Sequence, residues 1–436
     1  MAPENEKPAN PLPAPDSEFP LLWKADLGLL SFRNNIVIAG KHLICGSNGG
    51  SFTDYWLYDK QSGVYVLDRQ TGKTIRHFGN EQLGDMDVTG ILLHNNRFYY
   101  GNDNEEFLCT DLNGKIIWRI AASGDVEHEP TLLKTKNGEL IVYATEMGEV
   151  RAVNPATGKK VWNHYSEIFE GFKEGESRLA FKVKSYMSYH CELLRKPEVA
   201  DLNRDGTNDL VYLSQYNMLI ALDGQTGALL WKRQGGDNLR FNHLIKSGTD
   251  KAPFFSLGGN VYSGDKEKTD TLITMNSRGI NVYNKLIPHN YRGESINDIK
   301  IEGDTVLYNK SDSLYMIVNG KMARVIPYHM ARFESDKEDY YPYRREPLFA
   351  NRVFSFEGHA RCILMLNQIK MSDTKGAVIE IISLDNGELL RRFSLPAYSE
   401  FQPRIEDINE DGQLDLLVNC SNGQLYCYSM NGSSAR

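Results

Sequence analysis

The stretch "EVRAVNPATGKKVWNH" (residues 149–164) contains two runs of alternating apolar residues on either side of a polar turn with Thr-Gly. Side chains alternate between the two faces of a β-strand, so this pattern is typical of a half-buried β-hairpin. Seven related segments occur elsewhere in the chain, at residues 63–78, 107–120, 218–233, 279–287, 314–326, 378–395 and 424–432. The sequence therefore predicts a chain built from repeated hairpins.

A further strand pair precedes most of these hairpins, as in "PTLLKTKNGELIVYAT" (130–145). Four short antiparallel strands that repeat along a chain form the blades of a β-propeller. No capped amphipathic segment of helix length lies between the hairpins, so the predicted fold class is all-β. Eight hairpins predict a single propeller of eight four-stranded blades over residues 21–436. Seven blades with one large insertion is the alternative.

The last hairpin has its first strand, "LYCYSM", and its turn, "NG", but almost no second strand. The segment "PLLWKADLG" (20–28) matches the missing strand, with Trp23 at the position of the Trp in three other hairpins (Trp118, Trp162, Trp231). We expect this N-terminal strand to complete the last blade and close the ring, which removes two open sheet edges. The alternative is that Trp23 only covers a surface groove.

Composition excludes several classes of protein. The net charge is −8 and no Lys/Arg run is present, which argues against nucleic-acid binding. No run approaches eighteen apolar residues, so no transmembrane helix is expected. The six cysteines form no CxxC, adjacent pair or CxxCH, and we interpret them as small buried hydrophobes. Cys420 and Cys427 flank a turn, but their spacing does not establish a disulfide.

Residues 1–20 are rich in Pro, Asn and Glu, have no apolar core and do not form a signal peptide. We predict a disordered tether, which would allow attachment to a membrane through the N-terminus. We interpret the chain as an exported protein, of the periplasm or cell surface, whose signal was replaced by a start Met. A cytosolic protein is the alternative.

Two acidic loops have the same pattern, "PEVADLNRDGTNDLVYL" (197–213) and "PRIEDINEDGQLDLLV" (403–418). Oxygen ligands at alternate positions favour a hard cation such as calcium, and Gly206 and Gly412 permit the sharp turn. We predict two calcium sites, with backbone carbonyls from Thr207 and Gln413 and side chains from the other positions: Asp201, Asn203, Asp205 and Asp209 in one loop, and Asp407, Asn409, Asp411 and Asp415 in the other.

These loops are not EF-hands, because position 12 is Tyr212 in one and Val418 in the other, where an EF-hand needs a bidentate Glu. The residues that follow each loop are strand-like. Since every predicted ligand comes from one local loop, we expect the ion to stabilise a blade corner rather than to act in catalysis. An aspartate-rich turn without metal is the alternative.

The hairpins resemble the repeats of PQQ-type quinoprotein β-propellers over nearly all of residues 21–436. The acidic loops resemble the calcium-binding FG-GAP repeats of integrin-α-like propellers. Quinoprotein dehydrogenases bind PQQ beside calcium, but that family's cofactor-binding residues have no match in this sequence. Many of them also have a vicinal disulfide, which this chain lacks. We therefore expect no PQQ and, with no other catalytic motif present, a protein that is not an enzyme.

Two long connections, 166–196 and 328–346, combine aromatic and charged residues. Tyr and Arg are enriched at binding hot spots, although an insertion that packs against its own blade is the alternative. The candidate binding residues are Tyr186, Tyr189, His190, Tyr340, Tyr341, Tyr343, Arg344 and Arg345. A shorter connection, "SGDVEHEP" (123–130), adds His128, which would titrate near neutrality or lie solvated in its loop.

The sequence favours a non-catalytic, calcium-stabilised propeller that binds a protein or glycan on one face outside the cytoplasm, where free calcium is abundant. One alternative is an enzyme, either a quinoprotein dehydrogenase or a polysaccharide lyase. Another is a scaffold that resembles the outer-membrane assembly lipoproteins built from the same hairpins.

Overall fold

A computed structural model of the chain describes residues 19–50, 59–79, 86–165, 196–213, 218–234, 239–249, 252–261, 269–288, 297–301, 305–310, 313–318, 321–327, 348–371, 374–431 and 433–434. Within these ranges the chain forms β-strands and no helix, which confirms the all-β prediction. No described segment is therefore a helix that could cross a membrane.

The described strands form eight antiparallel sheets, which we number in chain order. Sheet 1 contains β2 (Ile36–Ala39), β3 (His42–Asn48), β4 (Ser62–Asp68) and β5 (Thr74–Phe78). Sheet 2 contains β6 (Ile91–His94), β7 (Arg97–Asn102), β8 (Glu106–Asp111) and β9 (Ile116–Ala121). Sheet 3 contains β10 (Thr131–Thr135), β11 (Gly138–Ala144), β12 (Glu149–Val153) and β13 (Lys160–Tyr165). Sheet 4 contains β14 (Glu198–Ala200), β15 (Asp209–Leu213), β16 (Met218–Leu222) and β17 (Leu229–Gln234).

The remaining sheets follow in the same way. Sheet 5 contains β18 (Leu239–Thr249), β19 (Ala252–Val261), β20 (Thr269–Asn276) and β21 (Asn281–Pro288). Sheet 6 contains β22 (Asn297–Ile301), β23 (Thr305–Lys310), β24 (Ser313–Val318) and β25 (Lys321–Pro327). Sheet 7 contains β26 (Leu348–Phe349), β27 (Phe354–Phe356), β28 (His359–Met371), β29 (Thr374–Ser383), β30 (Leu389–Leu395) and β34 (Ser433–Ser434). Sheet 8 contains β31 (Arg404–Glu406), β32 (Asp415–Asn419), β33 (Gln424–Ser429) and, from the N-terminal end, β1 (Leu21–Asp26).

Sheet 7 departs from the predicted four strands. Its first strand is interrupted at residues 350–353, so that β26 and β27 both pair with the long strand β28. The short strand β34 then pairs with the free edge of β27. This addition is available because β1, and not the end of the chain, occupies the place beside β33.

The hairpin turns are stabilised locally. In sheet 1 the Asp68 carboxylate accepts hydrogen bonds from the Thr71 N–H (2.9 Å) and hydroxyl (2.8 Å), while Gly72 takes a left-handed φ of 68°. The same contacts recur between Asp223 and Thr226 in sheet 4. A short polar side chain that bonds the backbone two or three residues later is typical of such turns. The Thr-Gly signature therefore specifies the turn directly.

Neighbouring sheets meet where an outer-strand Trp packs on the turn glycine of the next sheet. A methyl group at Gly158 would lie 2.7 Å from the Trp118 ring, and one at Gly279 would lie 2.8 Å from Trp231. The Trp118 indole N–H also donates to the Pro155 carbonyl at 3.1 Å. The repeated residues of the hairpin thus form both the turn of one sheet and the contact with its neighbour.

The hydrophobic core consists of separate clusters between consecutive sheets. Clusters of buried side chains join sheets 1 and 2, 2 and 3, 3 and 4, 4 and 5, 6 and 7, and 7 and 8, and another joins sheet 8 to sheet 1. Between sheets 5 and 6, strand β18 lies against β22. The sheets joined by these clusters therefore bury their faces against their neighbours, as repeat architectures require.

Strand β1 pairs antiparallel with β33 in the register Trp23↔Cys427. Trp23 is 6% exposed, and its indole N–H donates to the Arg69 carbonyl at 3.1 Å. Its ring packs on Gly72 of sheet 1. Trp23 therefore makes the same contacts with sheet 1 that Trp118, Trp162 and Trp231 make with the sheets that follow theirs.

Phe19 and Pro20, which precede strand β1, pack against sheets 7 and 8. Phe19, which the prediction assigned to residues 1–20, is 8% exposed and lies edge-to-face on Phe393 with ring centroids 5.0 Å apart. The Pro20 carbonyl accepts a hydrogen bond from the Ser429 N–H. A buried aromatic ring anchors this segment, so Phe19 and Pro20 belong with the folded domain.

Candidate functional site

The two acidic loops occupy equivalent places in the fold. The first acidic loop (Asp201–Asp209) connects the first two strands of sheet 4, and the second acidic loop (Asp407–Asp415) connects the first two strands of sheet 8. Each is flanked by strands, so the predicted strand–loop–strand arrangement is confirmed and the EF-hand remains excluded.

Backbone N–H groups hold the loop side chains in matching orientations. The Asp201 carboxylate accepts from the N–H groups of Asp205 and Gly206, both at 3.0 Å. The Asp407 carboxylate accepts equally from Asp411 at 3.1 Å and Gly412 at 3.0 Å. The two loops therefore share one conformation, which local hydrogen bonds determine.

Position 4 of each loop has a left-handed backbone, with φ of 64° at Arg204 and 63° at Glu410. At position 6 Gly206 and Gly412 have φ of 85° and 84°, with open space where a Cβ would lie. These glycines are thus required for their backbone conformation and not for close packing.

The aspartate at position 9 is fully buried in both loops. Asp209 accepts hydrogen bonds from the N–H groups of Leu202 and Asn203, and Asp415 accepts from those of Ile408 and Asn409. Burial raises the pKa of both carboxyls to about 6, and neighbouring carboxylates add to this effect. A cation would favour the ionised form of both groups.

The loops differ at the second oxygen of this aspartate. Asp209 Oδ1 accepts a hydrogen bond from the Gly224 N–H at 3.0 Å. Asp415 Oδ1 is buried and has no hydrogen-bond partner among the described residues. A buried carboxylate oxygen without a donor is costly, and a bound cation would satisfy it.

The donor chemistry of both loops fits calcium, which prefers carboxylate, amide and carbonyl oxygens. In the described part of the chain, however, no three His, Cys, Asp or Glu side chains are grouped as a metal site. The backbone N–H groups draw several loop oxygens toward themselves, so cation binding requires these oxygens to turn inward.

Of the nine other candidate binding residues, the structure describes one, His128. Tyr186, Tyr189, His190, Tyr340, Tyr341, Tyr343, Arg344 and Arg345 lie outside the described residues. His128 is 8% exposed, so the alternative of a solvated loop residue is wrong. Its backbone packs closely on Gly90, at the entry to sheet 2.

The structure also contains ion pairs between sheets that sequence reasoning did not identify. Lys196, before sheet 4, lies 2.6 Å from Glu129, before sheet 3. Arg33, before sheet 1, pairs with Glu127, also before sheet 3. These residues are far apart in the chain, and no spacing in the sequence indicates that they meet.

A second group of charges lies at the start of sheet 8. Arg404 lies 3.6 Å from Glu406 and donates to the Ile36 carbonyl of sheet 1. Burial lowers the pKa of Arg404, while Glu406 and Glu129 oppose this shift, so Glu129, before sheet 3, also acts on a residue of sheet 8. The segments that lead into the first strands thus carry charges that connect several sheets.

The described cysteines are free thiols and are buried, namely Cys45, Cys109, Cys362, Cys420 and Cys427. Burial raises the pKa of Cys420 to about 12, so this thiol is unreactive at neutral pH. The interpretation of these cysteines as small buried hydrophobes is confirmed, and Cys420 and Cys427 form no disulfide.

Residues 60–234 and 147–276 match a family model described as the outer membrane protein assembly factor BamB. Together the two matches span residues 60–276, slightly less than half of the chain. The chain therefore contains BamB-like PQQ repeats. No curated protein matches the sequence.

Solved structures share the fold of this chain over most of its length. BamB from Moraxella catarrhalis superposes with a TM-score of 0.52 at 12% identity, over 91% of this chain and 96% of that protein. Sqt1 from Saccharomyces cerevisiae gives 0.55 at 9% identity, over 96% and 97% of the two chains. The computationally designed protein Ika8 gives 0.52 at 12% identity, over 94% and 99%.

The chain is a β-propeller. At these identities the similarity establishes the fold and not the activity. The resemblance of the acidic loops to calcium-binding FG-GAP repeats has no counterpart in these comparisons.

Proposed function

We propose that this propeller is a non-catalytic scaffold that binds a protein partner outside the cytoplasm. The observation that carries the proposal is the match of residues 60–276 to the assembly factor BamB. A propeller disc presents its inter-blade loops as a broad docking face, which suits a scaffold. A partner at the cell envelope also agrees with the N-terminal segment interpreted as a tether.

We further propose that the eight sheets are eight blades of a ring that β1 closes. The pairing of β1 with β33 supports this arrangement, as do the contacts of Trp23 with sheet 1. The buried cluster between sheets 8 and 1 also resembles the clusters between other consecutive sheets. The added strand β1 covers the edge of β33, which would otherwise be open.

Calcium in both acidic loops is part of the proposal. Two observations support it: the oxygen-rich loops share one conformation, and Asp415 Oδ1 is buried without a donor. Extracellular calcium is plentiful enough to fill sites of moderate affinity. We expect no PQQ, since the sequence lacks counterparts of the quinoprotein cofactor-binding residues.

Affinity capture of the tagged protein from its own envelope extract tests the scaffold role, with calcium and with chelator in parallel. We expect one partner in stoichiometric amount, which then re-forms a complex from purified components. No partner under either condition would contradict the proposal, and a red-shifted absorbance on adding PQQ would favour an enzyme.

A further inference from the structure

Arg69 lies in the β4–β5 turn of sheet 1 and is only 7% exposed. Its guanidinium donates to the carbonyls of Ile408 (Nε, 2.6 Å) and Asp407 (Nη2, 2.5 Å). Nη1 contacts a Glu410 carboxylate oxygen at 2.6 Å and the Gly40 carbonyl at 3.0 Å. All three guanidinium nitrogens are thus engaged, mainly with the second acidic loop.

The backbone of Arg69 also contacts the strand that comes from the N-terminal end. The Arg69 carbonyl accepts the Trp23 indole N–H, and the Arg69 N–H donates to the Lys41 carbonyl at 3.0 Å. One residue therefore connects β1, the second acidic loop and the turns of sheet 1. We call this meeting of sheets 8 and 1 the closing seam.

The first acidic loop has no equivalent clamp in the described part of the structure. It contacts Lys136, whose Nζ lies 3.7 Å from Asp205 Oδ2, and also Asp223 and the Gly224 N–H. In three other hairpin turns, the position of Arg69 is taken by Pro155, Gly224 and Ser277. Their carbonyls accept hydrogen bonds from the other Trp indoles, but their side chains carry no charge.

The second acidic loop is also the more acidic of the two. It carries Asp407, Glu410, Asp411 and Asp415, whereas the first loop carries three aspartates and Arg204. Repulsion among its carboxylates is only partly offset by Arg69, and one buried carboxylate oxygen of Asp415 has no donor. A divalent cation would therefore order the second acidic loop more strongly than it orders the first.

We propose that Arg69 couples cation binding in the second acidic loop to the stability of the closing seam. The proposal rests on the calcium sites of the proposed function. When a cation draws the carboxylates inward, the Asp407 and Ile408 carbonyls become fixed, and they in turn fix the guanidinium that they bind. Arg69 then holds β1 and the β4–β5 hairpin through its backbone contacts.

Hydrogen exchange of the full-length protein, with calcium and with chelator, tests this coupling. In the wild type, calcium should slow exchange in residues 21–26 and 62–78 by about tenfold. Arg69→Gln should abolish that protection while calorimetric titration still detects calcium binding. Arg69→Lys, which keeps the charge but not the planar fork, should retain only part of it.

Matched controls separate the possible outcomes. Arg76→Gln, at an exposed position of β5, and Asp205→Ala, in the first acidic loop, should leave calcium protection of the seam unchanged, whereas Asp411→Ala should remove it. Protection that persists in Arg69→Gln, or fails in Asp205→Ala, would overturn the coupling. Calcium binding without seam protection in the wild type would overturn this inference alone. No calcium binding at all would overturn the calcium sites and the coupling with them.

Discussion

The glycine after the turn threonine determines how closely two sheets approach. Gly158 has a φ of 69° and leaves room for the Trp118 ring of the preceding sheet. Any side chain there must both adopt a left-handed backbone and displace an indole. The glycine of the repeat therefore serves packing between sheets as well as the turn.

Gly158→Ala should lower the free energy of unfolding by about 2–4 kcal/mol, because it adds backbone strain to a steric clash. Gly358→Ala is the matched control, since Gly358 has a φ of 84° but open space around it. The control should cost about 1–2 kcal/mol. Denaturant unfolding measures both, and equal losses would contradict the packing role of Gly158.

A second single residue, His77, makes a pH-dependent contribution to the stability of the fold. Its ring stacks on Tyr65 with centroids 4.0 Å apart, and its Nε2–H donates to the Ser62 carbonyl at 2.8 Å. Burial lowers the pKa of His77 below its usual value of 6.5, so the folded state disfavours the protonated ring.

The unfolded chain therefore binds a proton more readily than the folded one, and stability from the neutral ring is lost as pH falls through 6.5. We expect the melting temperature to fall less between pH 7.5 and 5.5 in His77→Gln than in the wild type. Calorimetry at both pH values measures this difference. An unchanged pH dependence in the variant would assign the effect to other groups.

At the scale of elements, the two acidic loops are the same structural unit used twice. Calcium should raise the melting temperature, because it is expected to bind the folded loops and not the unfolded chain. Asp205→Ala and Asp411→Ala should each remove part of this gain, and the double variant should remove all of it. A melting temperature that chelator leaves unchanged would mean that the loops are metal-free turns.

Strand β1 is the element on which sheet 8 depends for its fourth strand. Deleting residues 1–26 should expose the edge of β33 and leave the Trp23 site on Gly72 empty, so we expect a lower melting temperature and aggregation. A synthetic peptide of residues 19–28 should restore stability, whereas the same peptide with Trp23→Ala should not. Full stability of the truncated protein would show that β1 is dispensable.

At the scale of the whole molecule, charges near the first strands connect sheets that are distant in sequence. Arg404 of sheet 8 binds the Ile36 carbonyl of sheet 1 and lies beside Glu406. Arg404→Met should lower the free energy of unfolding by about 1–3 kcal/mol, since it leaves carboxylates without their partner.

Denaturant unfolding at low and high salt measures this effect, which should be larger at low salt because the carboxylates are then less screened. Arg76→Met on the exposed strand β5 is the control and should change stability little. Equal small effects of both substitutions would mean that Arg404 contributes nothing to the joining of sheets 8 and 1.

The sequence alone determined the features that depend on neighbouring residues. Alternating apolar residues and Thr-Gly turns predicted the hairpins, and matched acidic patterns predicted two loops of one conformation, because the hydrogen bonds that form them span few residues. Even the role of Trp23 was predictable, since it occupies the same place in a repeat as three other tryptophans.

Only the tertiary structure decided which residues meet between distant parts of the chain. Arg69 lies 339 positions from Ile408, and Arg404 lies 368 positions from Ile36, whose carbonyl it binds. The ion pair of Lys196 with Glu129 likewise joins segments that no periodicity relates. The pattern of apolar residues likewise did not predict that the first strand of sheet 7 is divided into β26 and β27. Nor did it predict that β34 pairs with β27. Such contacts depend on where the folded chain places each turn, and this placement is a property of the whole fold rather than of any local segment.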